Sequence, residues 1–218
     1  MNFKSFCANI GMYILVVLSY FLVFMTIAAY SFSFLNAGFS AVMITLLFAV
    51  LSFLYCFGLW KWYQLDFRLE VINSKLTGFV WLPLVLLAAY ILFQNFVPIE
   101  ASDNQTIVVS LIHSQPLFSF FFVVIVGPIV EEFMTRGLLA NYLFPEQKSL
   151  PQILLYLAVS GTFFSLLHQP GTLPQFLLYF VMGAIFALAY VTKKDLRYPI
   201  ALHMANNLIA FLQILFLA

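Results

Sequence analysis

Three side chains that share a single helical turn offer the first chemistry in this chain. In Gly127-Pro128-Ile129-Val130-Glu131-Glu132-Phe133-Met134-Thr135-Arg136-Gly137, two carboxylates and a guanidinium interrupt a largely apolar run. At the centre of a membrane helix each such charge costs about 2.5–3.5 kcal/mol on insertion scales, so charges kept there mark function. Glu132 and Arg136 are four residues apart, on one face, and can neutralise each other. Glu131 is rotated about 100° from Glu132 and has no partner in its own helix, which leaves it free to take a proton. There are three histidines. His113 lies in a polar stretch and reads as idle. His168 closes the apolar run Phe163-Phe164-Ser165-Leu166-Leu167, and His203 stands four residues before Asn207, on the same helical face. A carboxylate with one histidine can take a proton from water, while a second histidine with an amide can donate to a developing oxyanion. Alternatively, Glu131, His168 and His203 could hold a zinc ion with one open position. The spacing leaves both chemistries open.

The elements that must position these residues follow from composition. The 218 residues include nine Lys or Arg and eight Asp or Glu, 8% charged, against 64% hydrophobic and 27 Phe. An ordinary soluble domain carries about 25% charge, so a water-facing surface cannot be built here. Two Cys, nine Gly and nine Pro exclude disulfide-rich and collagen-like classes. Cys7 and Cys56 read as small apolar residues. A net charge of +1 supplies no bulk field for nucleic acid. The remaining class is an all-α, polytopic membrane helix bundle whose solvent is the lipid bilayer. Seven stretches reach the roughly 20 apolar residues of a span: Ile10–Tyr30, Phe39–Trp60, Phe79–Val97, Leu117–Phe144, Gln152–His168, Leu173–Val191 and Pro199–Leu217. The expectation is one membrane domain over 1–218, with three accessory spans in 1–98 and a core in 115–218 that carries every candidate residue. Gly183 and Ala187, four apart, suit close helix packing.

Lys4, Lys61, Arg68, Lys75, Lys148, Lys193, Lys194 and Arg197 fall at the N-terminus or in alternate loops, whereas Ser31–Gly38, Pro98–Pro116 and Gln169–Thr172 contain no Lys or Arg. The positive-inside rule then predicts a cytoplasmic N-terminus and an outer C-terminus. Lys4 and the apolar run after it read as an uncleaved first helix. Depth raises a conflict. Glu131 and His168 lie roughly 21 and 26 Å above the inner ends of their spans, but His203 lies only roughly 6 Å beyond Pro199. The expectation is therefore a broken or re-entrant element, with its bend at Gly127-Pro128, Gly161 or Arg197–Pro199.

Other membrane hydrolases are tested by their motifs. The chain has no His-Glu-x-x-His and no Gly-x-Ser-x-Gly, and Asp66, Asp103 and Asp195 all map to loops. Glu131-Glu132-x-x-x-Arg136, Phe164-x-x-x-His168 and His203-x-x-x-Asn207, in that order, resemble the three motifs of the CPBP (Abi) family of CAAX prenyl proteases and bacteriocin-processing enzymes. The resemblance covers about residues 115–218. It implies an intramembrane endopeptidase, glutamate- or metal-dependent, acting on a peptide or lipidated peptide such as a prenylated C-terminal Cys motif or a bacteriocin precursor. It implies that Glu131 and His168 activate water, His203 and Asn207 line the oxyanion site, and Glu132 and Arg136 support them. The competing readings are a self-immunity protein for a peptide toxin and a small proton-coupled transporter. The short chain and minimal loops favour a bacterial plasma-membrane setting.

Overall fold

The computed structural model describes residues 3–217 except 66–75, 77, 95 and 98. Asp66, Arg68 and Lys75, used above as loop charges, lie outside the described residues. The described residues are helical with no strand. Six helices are long and apolar enough to cross a membrane: α1 (Lys4–Asn36), α2 (Ala41–Leu65), α5 (Pro116–Leu143), α6 (Leu150–Leu167), α7 (Leu173–Lys193) and α8 (Arg197–Leu217). Two shorter helices, α3 (Trp81–Gln94) and α4 (Asp103–Ser114), complete the order. Large apolar side chains such as Leu22, Phe53 and Leu173 stand more than half exposed, as expected where lipid covers the surface.

Two expectations change. The third stretch forms a helix of only 14 residues, shorter than a span. The supposed loop 98–116 contains α4, whose start is capped by the Ser102 hydroxyl accepting from the Gln105 N–H, with Asp103 in its first turn. His113 accordingly sits in the last turn of a helix and not in a loop. Polar Asn, Gln and Thr residues hide this helix from a hydropathy reading, because the cap and the cover it gives α8 sustain it, not an apolar run.

The core is built around α5. The side-chain amide of Asn9 donates to the Tyr142 carbonyl at 3.0 Å, the Tyr13 hydroxyl to the Met134 carbonyl at 3.2 Å, and the Trp62 indole to the Tyr142 hydroxyl at 2.8 Å. The first two helices thus clasp the C-terminal half of α5. Farther along, Phe24, Phe48, Phe118 and Phe122 pack as a ring cluster with centroids 4.9–6.5 Å apart. On the other side α6 and α7 form a close hairpin. A Cβ added to Gly183 would meet Phe164 Cβ at 2.8 Å and Gly161 Cα at 3.0 Å, so a small residue is required there. Gly161, one of the proposed bends, is instead this point of close approach.

The depth conflict resolves without a break in α8. Leu196, just before α8, packs on Gly137: a Cβ placed there would stand 3.2 Å from its Cδ2. The last helix therefore starts level with Gly137, six residues short of the C-terminal end of α5. Glu131 lies six residues above Gly137, roughly 9 Å, and His203 lies seven above Leu196, roughly 10 Å. Straight, antiparallel helices then bring the two to one height.

Candidate active site

Helix α5 carries its carboxylates on a short α-helical piece, Gly127–Glu132, set between two π-helical stretches, Phe120–Val126 and Phe133–Leu138. Wider π turns re-aim side chains and gather at functional sites. Here they turn the carboxylates toward α8. Gly127 permits the junction, because a Cβ there would stand 2.9 Å from the Phe122 carbonyl oxygen. The Glu131 carboxylate lies directly over that glycine, with Oε1 3.7 Å from the Cβ position.

Glu132 and Arg136 pair as their spacing predicts. The Arg136 Nη1 donates to Glu132 Oε1 at 2.8 Å and to the Thr135 hydroxyl at 2.5 Å, and Nη2 donates to the Gly183 carbonyl at 2.7 Å. Both charged side chains are fully buried. The guanidinium also lies over the rings of Phe164 and Phe186, 4.6 and 5.5 Å from their centroids. One cation thereby binds α5 to α7 and packs on α6. Ser160 adds a bond from its hydroxyl to the Thr135 carbonyl at 2.9 Å.

His203 meets both carboxylates. Its Nδ1 lies 2.9 Å from Glu132 Oε1, and its Nε2 lies 3.9 Å from Glu131 Oε2. The ring is 1% exposed and stacks on Phe186 at 4.7 Å with a 23° interplanar angle. The Nδ1 contact with Glu132 is a hydrogen bond, whereas the Nε2 contact with Glu131 is longer than one. Glu131 Oε2 is buried yet makes no hydrogen bond, and the same holds for Glu132 Oε2 and Arg136 Nε. Unpaired buried oxygens on a charged group are costly, and such a site is prepared for an outside partner.

His168 approaches from α6. Its Nδ1 lies 2.8 Å from the Phe164 carbonyl oxygen. A carbonyl only accepts, so Nδ1 carries the proton and Nε2 is left to accept one. The ring is held between Phe164 and Tyr179, each 4.4 Å away, within electrostatic reach of Glu131, His203 and Arg136. Asn207 sits one turn beyond His203. Its Nδ2 donates to the Val123 carbonyl at 2.9 Å and its Oδ1 accepts from Asn206 at 3.2 Å, so the amide is oriented but already partly engaged.

All six residues chosen from sequence therefore belong to one neighbourhood on α5, α6 and α8. Thr135, Tyr179, the Gly183 carbonyl and the Phe186 ring belong to it too, and sequence reasoning missed them. Thr135 carried a faint signal, as a polar residue beside Arg136. The others are two aromatic rings and a glycine carbonyl, which no motif spacing marks. As for zinc, no three His, Cys, Asp or Glu side chains among the described residues come together to hold a metal ion. The side chains as placed do not fit the three-ligand set.

The same part of the chain has known relatives. Residues 113–209, which span all three motifs, match the family described as type II CAAX prenyl endopeptidase Rce1-like. Over this segment the chain is similar to that family. The chain is also 31% identical over 140 residues to the membrane-embedded CAAX protease MroQ of Staphylococcus aureus. That alignment takes in 63% of this chain and 56% of the relative, so the chain spans little more than half the relative's length. No solved structure matches the chain. The Rce1-like segment begins at the end of α4 and runs into α8, so α1, α2 and α3 lie outside it.

Proposed function

We propose that the protein is an intramembrane endopeptidase that cleaves a peptide at the membrane with a water activated by Glu131 and His168. The observation that carries this reading is the unbonded Glu131 Oε2, held 3.9 Å from His203 Nε2 while Glu132 fixes the other ring nitrogen. A water between Glu131 and His168 Nε2 would lose its proton to them as it attacks the scissile carbonyl, forming the new C–O bond. His203 Nε2–H, with the second N–H of Asn207, would receive the developing oxyanion. Glu132 and Arg136 position His203 and do not themselves touch the substrate. On collapse, the C–N bond breaks and the proton passes to the leaving amine. Residues 115–218 supply these parts, and the spans within 1–98 support α5. The N-terminus is assigned to the cytoplasmic side, opposite the face where His168 lies.

The test is cleavage by the full chain reconstituted in liposomes, read by mass spectrometry. The substrates are a prenylated C-terminal Cys-motif peptide, an unmodified membrane-inserting peptide and a bacteriocin-type precursor. Glu131→Gln and His168→Ala should each lose cleavage by about 10²–10⁴-fold while remaining folded. Full activity in Glu131→Gln overturns the reading. A toxin-protection phenotype that survives Glu131→Gln, His168→Ala and His203→Ala would instead assign an immunity role without catalysis.

A further inference from the structure

A cavity of ≈ 380 Å³ lies against the site and shares His168 and Asn207 as lining residues. It extends between α3, α4, α7 and α8. Its walls carry an uneven chemistry. Gln94, Gln105, Asn206, Gln213 and Glu100 are among the residues that line it, and no Lys or Arg is among the described lining residues. The side chains of Gln105 and Gln213 have no hydrogen-bond partner among the described residues. Free amides next to lipid call for a ligand with alternating donors and acceptors, which an extended peptide backbone supplies. Arg136, the cation of the adjoining site, is fully buried and bound to Glu132, Thr135 and the Gly183 carbonyl.

The rim that carries Glu100 is tied to the catalytic histidine. The Gln175 side chain donates to the Glu100 carbonyl at 2.9 Å, and the Ser102 hydroxyl pairs with the Tyr179 hydroxyl at 3.1 Å. Tyr179 stacks on His168 at 4.4 Å and 26°. One tyrosine therefore holds both the wall and the imidazole. Glu100 is exposed at the mouth, and Asp103 stands beside it in the first turn of α4. A carboxylate entering here would meet acids and find no cation, whereas an ammonium or guanidinium would be attracted.

We propose that this chamber takes an extended uncharged or cationic peptide stretch and selects against acidic ones, with Glu100 setting the sign. The proposal names the substrate class of the peptidase site and rests on that reading.

The test is binding without turnover, using full-length Glu131→Gln in phosphatidylcholine nanodiscs, whose lipid carries no net charge. The probes are three fluorescent, N-acetylated, C-amidated peptides of Ala and Gln carrying two Lys, two Glu or no charge, each with a benzophenone side chain. At low salt the Lys peptide should bind about two- to fivefold more tightly per charge than the Glu peptide, the range of exposed ion pairs. The gap should shrink as salt rises. Crosslinks should map to α4 and α8, and Glu100→Lys should reverse the preference. Glu100 is exposed and its carbonyl, not its side chain, anchors the rim, so this variant keeps its fold. Equal binding of the three probes, an unchanged preference in Glu100→Lys, or crosslinks outside the chamber would overturn the proposal. Charge-selective binding with no cleavage by the unmutated protein would refute the peptidase reading alone. Cleavage without charge selection would refute this one alone.

Discussion

Arg136→Met removes the one cation buried in the bundle among the described residues. Its guanidinium holds Glu132 at 2.8 Å, Thr135 at 2.5 Å and the Gly183 carbonyl at 2.7 Å, with both charged side chains fully buried. Met roughly conserves length and apolar packing on Phe164 and Phe186, so the main loss is electrostatic. Glu132 would be left as a buried carboxylate with only His203 to answer it. Breaking a buried pair from one side costs about 3–5 kcal/mol. Removing both charges is much less damaging, because the desolvation cost of the pair disappears with it. The double variant Glu132→Gln/Arg136→Met should therefore be less destabilised than Arg136→Met, with a coupling of about 2 kcal/mol or more in a double-mutant cycle. The amide oxygen introduced by Glu132→Gln can still accept from His203 Nδ1, so the fold survives while cleavage falls. Arg136→Lys should rescue poorly, since one ammonium cannot reach Glu132 and the Gly183 carbonyl as a two-armed guanidinium does. The assay is reversible denaturation of the reconstituted protein, followed by tryptophan fluorescence, for the four proteins of the cycle. Additive losses, with the double variant at the sum of the singles, would show that Glu132 and Arg136 do not neutralise each other and would refute the reasoning.

Gly183→Ala forces a Cβ to within 2.8 Å of Phe164 Cβ, so a loss of about 1–3 kcal/mol is expected in the same denaturation assay; Gly11→Ala, with nothing within 4 Å, should cost far less. Tyr179→Phe keeps the ring on His168 but frees Ser102; KM for a cleaved peptide should rise several-fold with kcat little changed, and an equal fall in kcat would place the hydroxyl in the chemistry instead. Lys194, in the turn after α7, has its pKa lowered by burial from 10.5 to about 8. The folded state then binds fewer protons than the unfolded state between about pH 8 and 10.5, so this group makes stability rise with pH across that window. Lys194→Met should flatten that rise in a pH series of melting curves, and an unchanged slope would exclude Lys194 as its source.

How far the sequence reaches differs between fold and site. Membrane class, helical content and the segments that carry the three motifs were legible because lipid imposes a length and a polarity that hydropathy reads directly. The 3.6-residue period placed Glu132 with Arg136 and His203 with Asn207, and both pairs of spacings hold in the structure. Helix α4 was not legible, since its stability comes from a Ser102 cap and from packing on α8. Nor was the partner of His203. Sequence left that ring at the wrong depth, because the start of α8 depends on where Leu196 lands on Gly137, a contact 59 residues apart along the chain.

The sequence by itself therefore determined that this is a lipid-embedded helical protein with one charged turn, because charge at a helix centre is too costly to scatter. Only the tertiary structure decided which atoms face each other. Local spacing fixes angle around a helix but not the height of one helix against another. That height brings both His203 nitrogens to carboxylates, leaves Glu131 Oε2 unbonded, and opens an amide-lined chamber beside His168.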